Sequence, residues 1–253
     1  MIRIRGLSKT YADGQQALRG LDLELGEGML GLLGPNGAGK TTFLSLLVLA
    51  VEPSSGERLY DELDATRPRD RAAIRSRLGY LPQDFAPVGH LTGLEYLVHC
   101  ARLRGVGLAA RAIERRAREL LEAVDLAHAA ARRAGEYSGG MKRRLGIAQA
   151  LIHAPRLLVV DEPTSGLDPA ERIHFRNLIT EAADHIPVLL STHIVEDVEA
   201  TCPRLAVIAA GRLCFDGTPG ELLRRAAGRL WELPAEAPPT AGATILARRR
   251  MAG

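Results

Sequence analysis

The chain has 253 residues, 46% of them hydrophobic, which is enough to bury a real core and too apolar for a disordered chain; it fits one large domain or a domain with an inserted lobe. Its 33 lysines and arginines stand against 30 acidic residues, a formal charge of +3 with both signs interspersed, so bulk charge names no partner and gives no reason to expect nucleic acid. The three cysteines, Cys100, Cys202 and Cys214, are odd in number and in no CxxC spacing, which argues against a disulfide framework or a zinc site and for a reducing, cytosolic compartment.

The opening MIRIRGLSKT lacks the apolar run of a signal peptide, and the longest apolar stretch, Phe43 to Val51, is about half of what a bilayer crossing requires. A soluble, unsecreted chain is expected. RIRGLSKTY and ALRGLDLEL alternate with period two about the turn-like ADGQQ, the pattern of an antiparallel β-lobe. From there the apolar runs MLGLL, RLGYL, RLLVV, PVLLS and RLAVIAA alternate with helical patterns, which predicts an α/β fold with a mostly parallel core sheet. Between Gln83 and about Pro155 the strand signals give way to helices. Thr92 with Glu95 three residues later forms a capping box there, and residues 84–155 read as an inserted helical lobe. After Gly228 the composition shifts to proline and alanine and ends in Arg248, Arg249 and Arg250. Residues 229–253 are expected to be a tail or short extension, the arginine run solvated rather than bound to lipid.

Gly34, Pro35, Asn36, Gly37, Ala38, Gly39, Lys40 and Thr41 match G-x-x-x-x-G-K-[ST] between an apolar strand run and a helical pattern, the context in which that motif holds phosphate. Glycines let backbone N–H groups point at phosphate oxygens, and a helix starting near Lys40 adds its positive end. Lys40 would reach the β- and γ-phosphates, Thr41 offers Mg²⁺ a hydroxyl, and Thr42 follows within the same site. A plain glycine-rich turn has no need of lysine and threonine at those two places. The run Leu157 to Val160 ends in Asp161 and Glu162, two carboxylates at the sheet edge where ligands of open α/β folds collect. Asp161 is expected to hold Mg²⁺, and Glu162 to orient and deprotonate the attacking water. Solvated acids at a strand-to-loop junction are the competing account, which the phosphate loop outweighs.

Tyr137, Ser138, Gly139, Gly140 and Met141 precede the helical pattern KRRLGIAQALIHA, placing a serine hydroxyl and glycine N–H groups at another helix start, a second anion site. With this motif the sequence resembles the ATP-binding subunits of ABC transporters from about Ile2 to Leu223. The central Ser-Gly-Gly matches the Leu-Ser-Gly-Gly-Gln signature, while Tyr137 and Met141 depart from it as in the branch that pairs with ABC-2 type export permeases.

The resemblance implies an ABC ATPase cassette over residues 1–228, with the P-loop core sheet, the antiparallel lobe and the helical lobe. It implies that Tyr11 stacks on adenine, against the competing account of a tyrosine packed on the small sheet. It also implies that Gln83 contacts Mg²⁺ or water and links the site to the helical lobe, that Ser165 to Asp168 cross a dimer interface, and that His193 contacts the γ-phosphate. Asp168 has a second account as the cap of a helix begun by Pro169. The other histidines match no motif and read as surface or packing residues. The activity implied is ATP hydrolysis with Mg²⁺ by a head-to-tail dimer, with itself or a similar subunit, on a separate transmembrane permease at the cytoplasmic face of the membrane. The alternatives are a soluble ABC ATPase without a transport role and a metabolic P-loop kinase. The first calls for coiled-coil insertions or two cassettes in one chain, and the second has no use for a second phosphate cradle.

Overall fold

The computed structural model describes residues 1–226, so the tail expected over 229–253 lies outside the described residues. The chain opens with β1 (Ile2–Thr10) and β2 (Gln16–Leu25), antiparallel as their alternation requires. The apolar run β3 (Met29–Leu33), buried along its whole length, leads through the glycine loop into α1 (Lys40–Leu47). β4 (Ser55–Tyr60) and β5 (Leu63–Asp64) extend the antiparallel sheet to the order β2-β1-β4-β5. Then come α2 (Pro68–Ser76) and β6 (Leu78–Leu81), followed by the helices α3 (Gly93–Leu103), α4 (Ala110–Ala123) and α5 (Gly139–Leu151). The chain returns through β7 (Leu157–Asp161), α6 (Pro169–Ala183), β8 (Val188–Thr192) and α7 (Val195–Thr201). It closes its described part with β9 (Arg204–Ala209), β10 (Arg212–Gly217) and α8 (Pro219–Ala226).

The second sheet runs β10-β9-β3-β8-β7-β6, parallel except for the edge strand β10. Both of its faces are covered, which is why its strands read as unbroken apolar runs. Period two still operates inside them. Leu157 and Val159 face the core shared with α1 and the antiparallel lobe, while Leu158 and Val160 face the core shared with the helices.

The antiparallel lobe does more than cover α1. Two inward-facing residues of β4 close the helix's C-terminal end, where backbone carbonyls lack intrahelical partners. The Arg58 guanidinium donates to Leu46 O at 2.5 Å, and the Tyr60 hydroxyl donates to Leu47 O. Arg58 is almost wholly buried, and burial pulls its pKa below the usual arginine value. A cation at this end also suits the helix dipole.

Arginines lock the inserted helices to one another in the same way. Arg116 of α4 donates to the Leu151 and Ile152 carbonyls at the end of α5, at 3.0 and 2.5 Å. Arg144 of α5 donates to the Val124 and Asp125 carbonyls at the end of α4, at 3.3 and 3.2 Å. The capping box is formed: Thr92 Oγ1 accepts from Glu95 N, and Glu95 Oε2 from Thr92 N. Tyr137 is buried among these helices, its hydroxyl donating to Ala129 O at 2.7 Å. Gly93 starts α3 against that hydroxyl, and a Cβ there would overlap it. Gly93→Ala should therefore lose about 1–3 kcal/mol in chemical denaturation. Adding Tyr137→Phe, which removes the overlapped atom, should return part of that loss. A G93A variant as stable as the parent would show that the tyrosine is not fixed.

Candidate functional site

Because β3, β8 and β7 are neighbours and parallel, their carboxyl ends lie side by side, with Leu33 opposite Thr192 and Asp161 opposite Ser191. The residues that follow, the glycine loop, His193 and Glu162, share one edge of the sheet, where open α/β folds bind ligands. A cleft of about 820 Å³ opens there. Of the residues singled out from the sequence, Tyr11, Pro35, Asn36, Gly37, Gly39, Lys40, Thr41, Thr42, Gln83, Glu162, Ser165 and His193 line it.

The glycine loop bends back on itself, Ala38 N donating to Pro35 O at 3.1 Å. Gly39 ends the loop at φ 104°, where a side chain would be strained and its Cβ would sit 2.6 Å from Ala17 O. Lys40 begins α1 nearly buried. Its ammonium donates to Gly34 O at 2.6 Å and lies 3.3 Å from Glu162 Oε1.

Glu162 is also nearly buried, and holds φ +46°, an uncommon state for a residue with a side chain. Its backbone N–H donates to Ser191 O at 2.9 Å, and its Oε2 meets His193 Nδ1 at 2.7 Å. An ionised carboxylate only accepts, so opposite ionised Glu162 the histidine Nδ1 carries the hydrogen. Lysine, glutamate and histidine thus form one chain of contacts across three strand ends.

Asp161 stands behind Glu162, off the cleft wall and wholly buried. Neither carboxylate oxygen has a hydrogen-bond partner. Burial pushes its carboxyl above the usual range; the Ser191 and Thr41 hydroxyls and the charge of Lys40 oppose the shift, and Glu162 adds to it. Those two hydroxyls lie close enough to act on the charge without closing a bond of good geometry. An orphaned carboxylate beside a threonine hydroxyl is a hard oxygen donor set, and it fits Mg²⁺.

Tyr11 lies just past β1, more than a third exposed, with its hydroxyl 3.2 Å from Thr42 Oγ1 and the Lys9 ammonium 5.2 Å from its ring centre. Ser138, Gly139, Gly140 and Asp168 are not among the cleft residues. Ser138 caps α5, accepting from Met141 N at 3.2 Å, and Asp168 caps α6, accepting from Glu171 N at 2.8 Å with Pro169 next in line.

Gln16, Arg19, Ala210 and Gly211 also line the cleft and escaped the sequence reading. Backbone bonds bring them there: Gly211 N donates to Ala38 O at 3.0 Å, and Arg19 N to Gly211 O at 2.8 Å. No local pattern marks them, because the β9–β10 turn reaches the loop only through the fold.

The ABC transporter family profile matches residues 18–165. The chain belongs to the ABC transporter family. YxlF, an ABC transporter ATP-binding protein of Bacillus subtilis (strain 168), is 40% identical over 223 residues, covering 88% of this chain and 72% of the relative. ABC transporter A family member 6 of Arabidopsis thaliana is 40% identical over 215 residues, 84% of this chain and 23% of the relative. The chain therefore spans about a quarter of the length of the Arabidopsis relatives it matches. Among solved structures, the dimeric bacterial ABC transporter cassette MJ0796 aligns with a TM-score of 0.78 at 25% identity, over 86% of this chain and 98% of that one. A second MJ0796 structure, a dimeric post-hydrolysis state bound to ADP and Pi, aligns equally well. The fold is that of an ABC ATPase cassette.

If Asp161 is a buried charge without partners, neutralising it should stabilise the metal-free chain. Its folded pKa lies above the unfolded value, so folding is favoured most where Asp161 is protonated and loses that advantage as the pH rises. Asp161→Asn should accordingly raise the melting midpoint by a few degrees at neutral pH in the presence of a chelator. The difference should vanish below the normal carboxylate range. Thermal melts across pH check this; a variant less stable than the parent at neutral pH would refute it.

Proposed function

We propose that this chain binds ATP with Mg²⁺ and hydrolyses it as one of two cassettes that close head to tail on a separate membrane-embedded permease, powering export. One observation carries the proposal: Lys40, Glu162 and His193 converge in a cleft that the chain's own signature residues do not line. A second phosphate-binding helix start that does not line the first one's cleft has a use if it completes the site of another copy. Dimeric MJ0796 is a cassette of this fold, and Tyr137 and Met141, which resemble the export branch at the signature's variable places, support the direction.

In this reading the loop N–H groups and Lys40 hold the β- and γ-phosphates, and Tyr11 stacks on adenine from the cleft rim. Thr41, Asp161 and Gln83 hold Mg²⁺, which when bound neutralises charge developing on the phosphate oxygens. Glu162 orients the attacking water and takes its proton, and His193 holds the γ-phosphate and fixes the Glu162 carboxylate. Ser138, Gly139 and Gly140 of the second copy close over the same phosphate, and Asp168 stands at the shared interface. Nucleotide thereby bridges two chains, and loss of the γ-phosphate lets them part. The helices of residues 84–155 and the loop at Gln83 carry that motion to the permease. Among the described residues no helix is long and apolar enough to cross a membrane; in this reading the permease is the link to the cytoplasmic face.

Two measurements test this. Glu162→Gln should lower the hydrolysis rate about 10²- to 10⁴-fold with ATP binding retained, and should collect as an ATP-bound dimer on size exclusion. Near-normal turnover would move the base elsewhere. Separately, Lys40→Ala and Ser138→Arg should each abolish hydrolysis alone. Mixed together, they form a dimer in which one of the two sites has both its parts intact, so measurable hydrolysis should return. A Ser138→Arg chain that hydrolyses ATP normally as a monomer would overturn the head-to-tail arrangement.

A further inference from the structure

Two residues outside the cleft connect the segments that carry Glu162 and His193. Thr164 and Asp197 are both buried, and the Thr164 hydroxyl donates to Asp197 Oδ2 at 2.6 Å. Thr164 comes shortly after Glu162 on the segment leaving β7, and Asp197 shortly after His193 on the segment leaving β8. The two segments are therefore joined twice, once at the cleft through Glu162 and His193, and once in the buried interior through Thr164 and Asp197.

The interior contact is a poor device for stability alone. Asp197 Oδ1 has no hydrogen-bond partner, and Arg176 of α6 comes to 3.7 Å of it, close enough for attraction and too far for a bond. Apolar pairs of similar volume often pack in such places without loss of stability. A short bond between hydroxyl and carboxylate supplies direction instead, because it fixes distance and angle where apolar surfaces slide. Direction is needed at this point. Glu162 holds a backbone state that persists only when its surroundings over-determine it, and Thr164 anchors the turn after it, its carbonyl accepting from Leu167 N at 3.2 Å.

We infer that Thr164 and Asp197 are positioning residues for hydrolysis: their bond holds the segment after β7 in register with the segment after β8, so that Glu162 meets His193. The inference rests on the reading of Glu162 and His193 as hydrolytic residues, and its test is built to fail separately from that reading.

The full chain is compared with Thr164→Val, which keeps the shape and removes the hydroxyl, and Thr164→Ser, which keeps the hydroxyl. His193→Ala and the Thr164→Val/His193→Ala pair complete the set. Thr164→Val should lower kcat about 10- to 100-fold while KM changes less than about threefold, the mark of a misplaced group rather than a lost binding contact. Thr164→Ser should restore kcat. In the His193→Ala background, Thr164→Val should lower the rate little further, since the contact it supports is already gone. The nitrogen NMR signal of the His193 ring, assigned by its absence in His193→Ala, should move in Thr164→Val and return in Thr164→Ser, whatever the turnover.

An unmoved signal in Thr164→Val overturns the inference, as do effects of the two substitutions that simply multiply. A drop in kcat and melting midpoint together, with the signal unmoved, is general loosening and overturns it too. If the signal moves as expected but His193→Ala and Glu162→Gln hydrolyse ATP normally, the register tie stands and the hydrolytic reading falls.

Discussion

Asp161 and Glu162 follow one another at the end of β7, the first wholly and the second nearly buried, and two like charges so placed repel each other as well as losing hydration. The surrounding structure can be read as the answer to that problem. Lys40 lies against one Glu162 oxygen and His193 against the other. Both partners reach it because the parallel sheet sets β8 between β3 and β7, with all three carboxyl ends on one edge. Asp161 keeps two unpartnered oxygens. A site that tolerates such a charge is less stable than it could be, and the tolerance is the usual sign of a carboxylate kept for a cation.

The parts of the fold that were legible in the sequence are those whose pattern and burial agree. MLGLL, LLVVD and VLLST are buried residue by residue, and runs this short between turns suit a covered strand better than a helix. β4 was not legible because its inward positions are Arg58 and Tyr60, residues whose polar ends belong to the carbonyls of another element. α2, the sequence PRDRAAIRS, buries a single isoleucine and so presents no apolar face to find. The glycine loop and the acid pair could be read because their chemistry is local. The Lys40–Glu162–His193 chain, the cleft wall from β2 and the β9–β10 turn, and the Thr164–Asp197 bond could not, since each joins residues brought together by topology.

Two of the inserted helices are fastened to each other at their ends. Arg116 and Arg144 each close the neighbouring helix's last turn, so α4 and α5 cannot slide without breaking charge-assisted bonds at both ends. α1 is fastened likewise, by Gly34 and Glu162 through Lys40 at its start and by Arg58 and Tyr60 at its finish.

The fit of Gly93 against Tyr137 also bears on how this sequence can drift. Tyr137 fills the space in which a side chain at residue 93 would lie, so residue 93 cannot gain one while the tyrosine stays. A smaller residue in place of Tyr137 would leave room for a side chain where this chain has Gly93. Substitution at these two sites is thus tied by sterics in one order: the tyrosine has to shrink before residue 93 can grow.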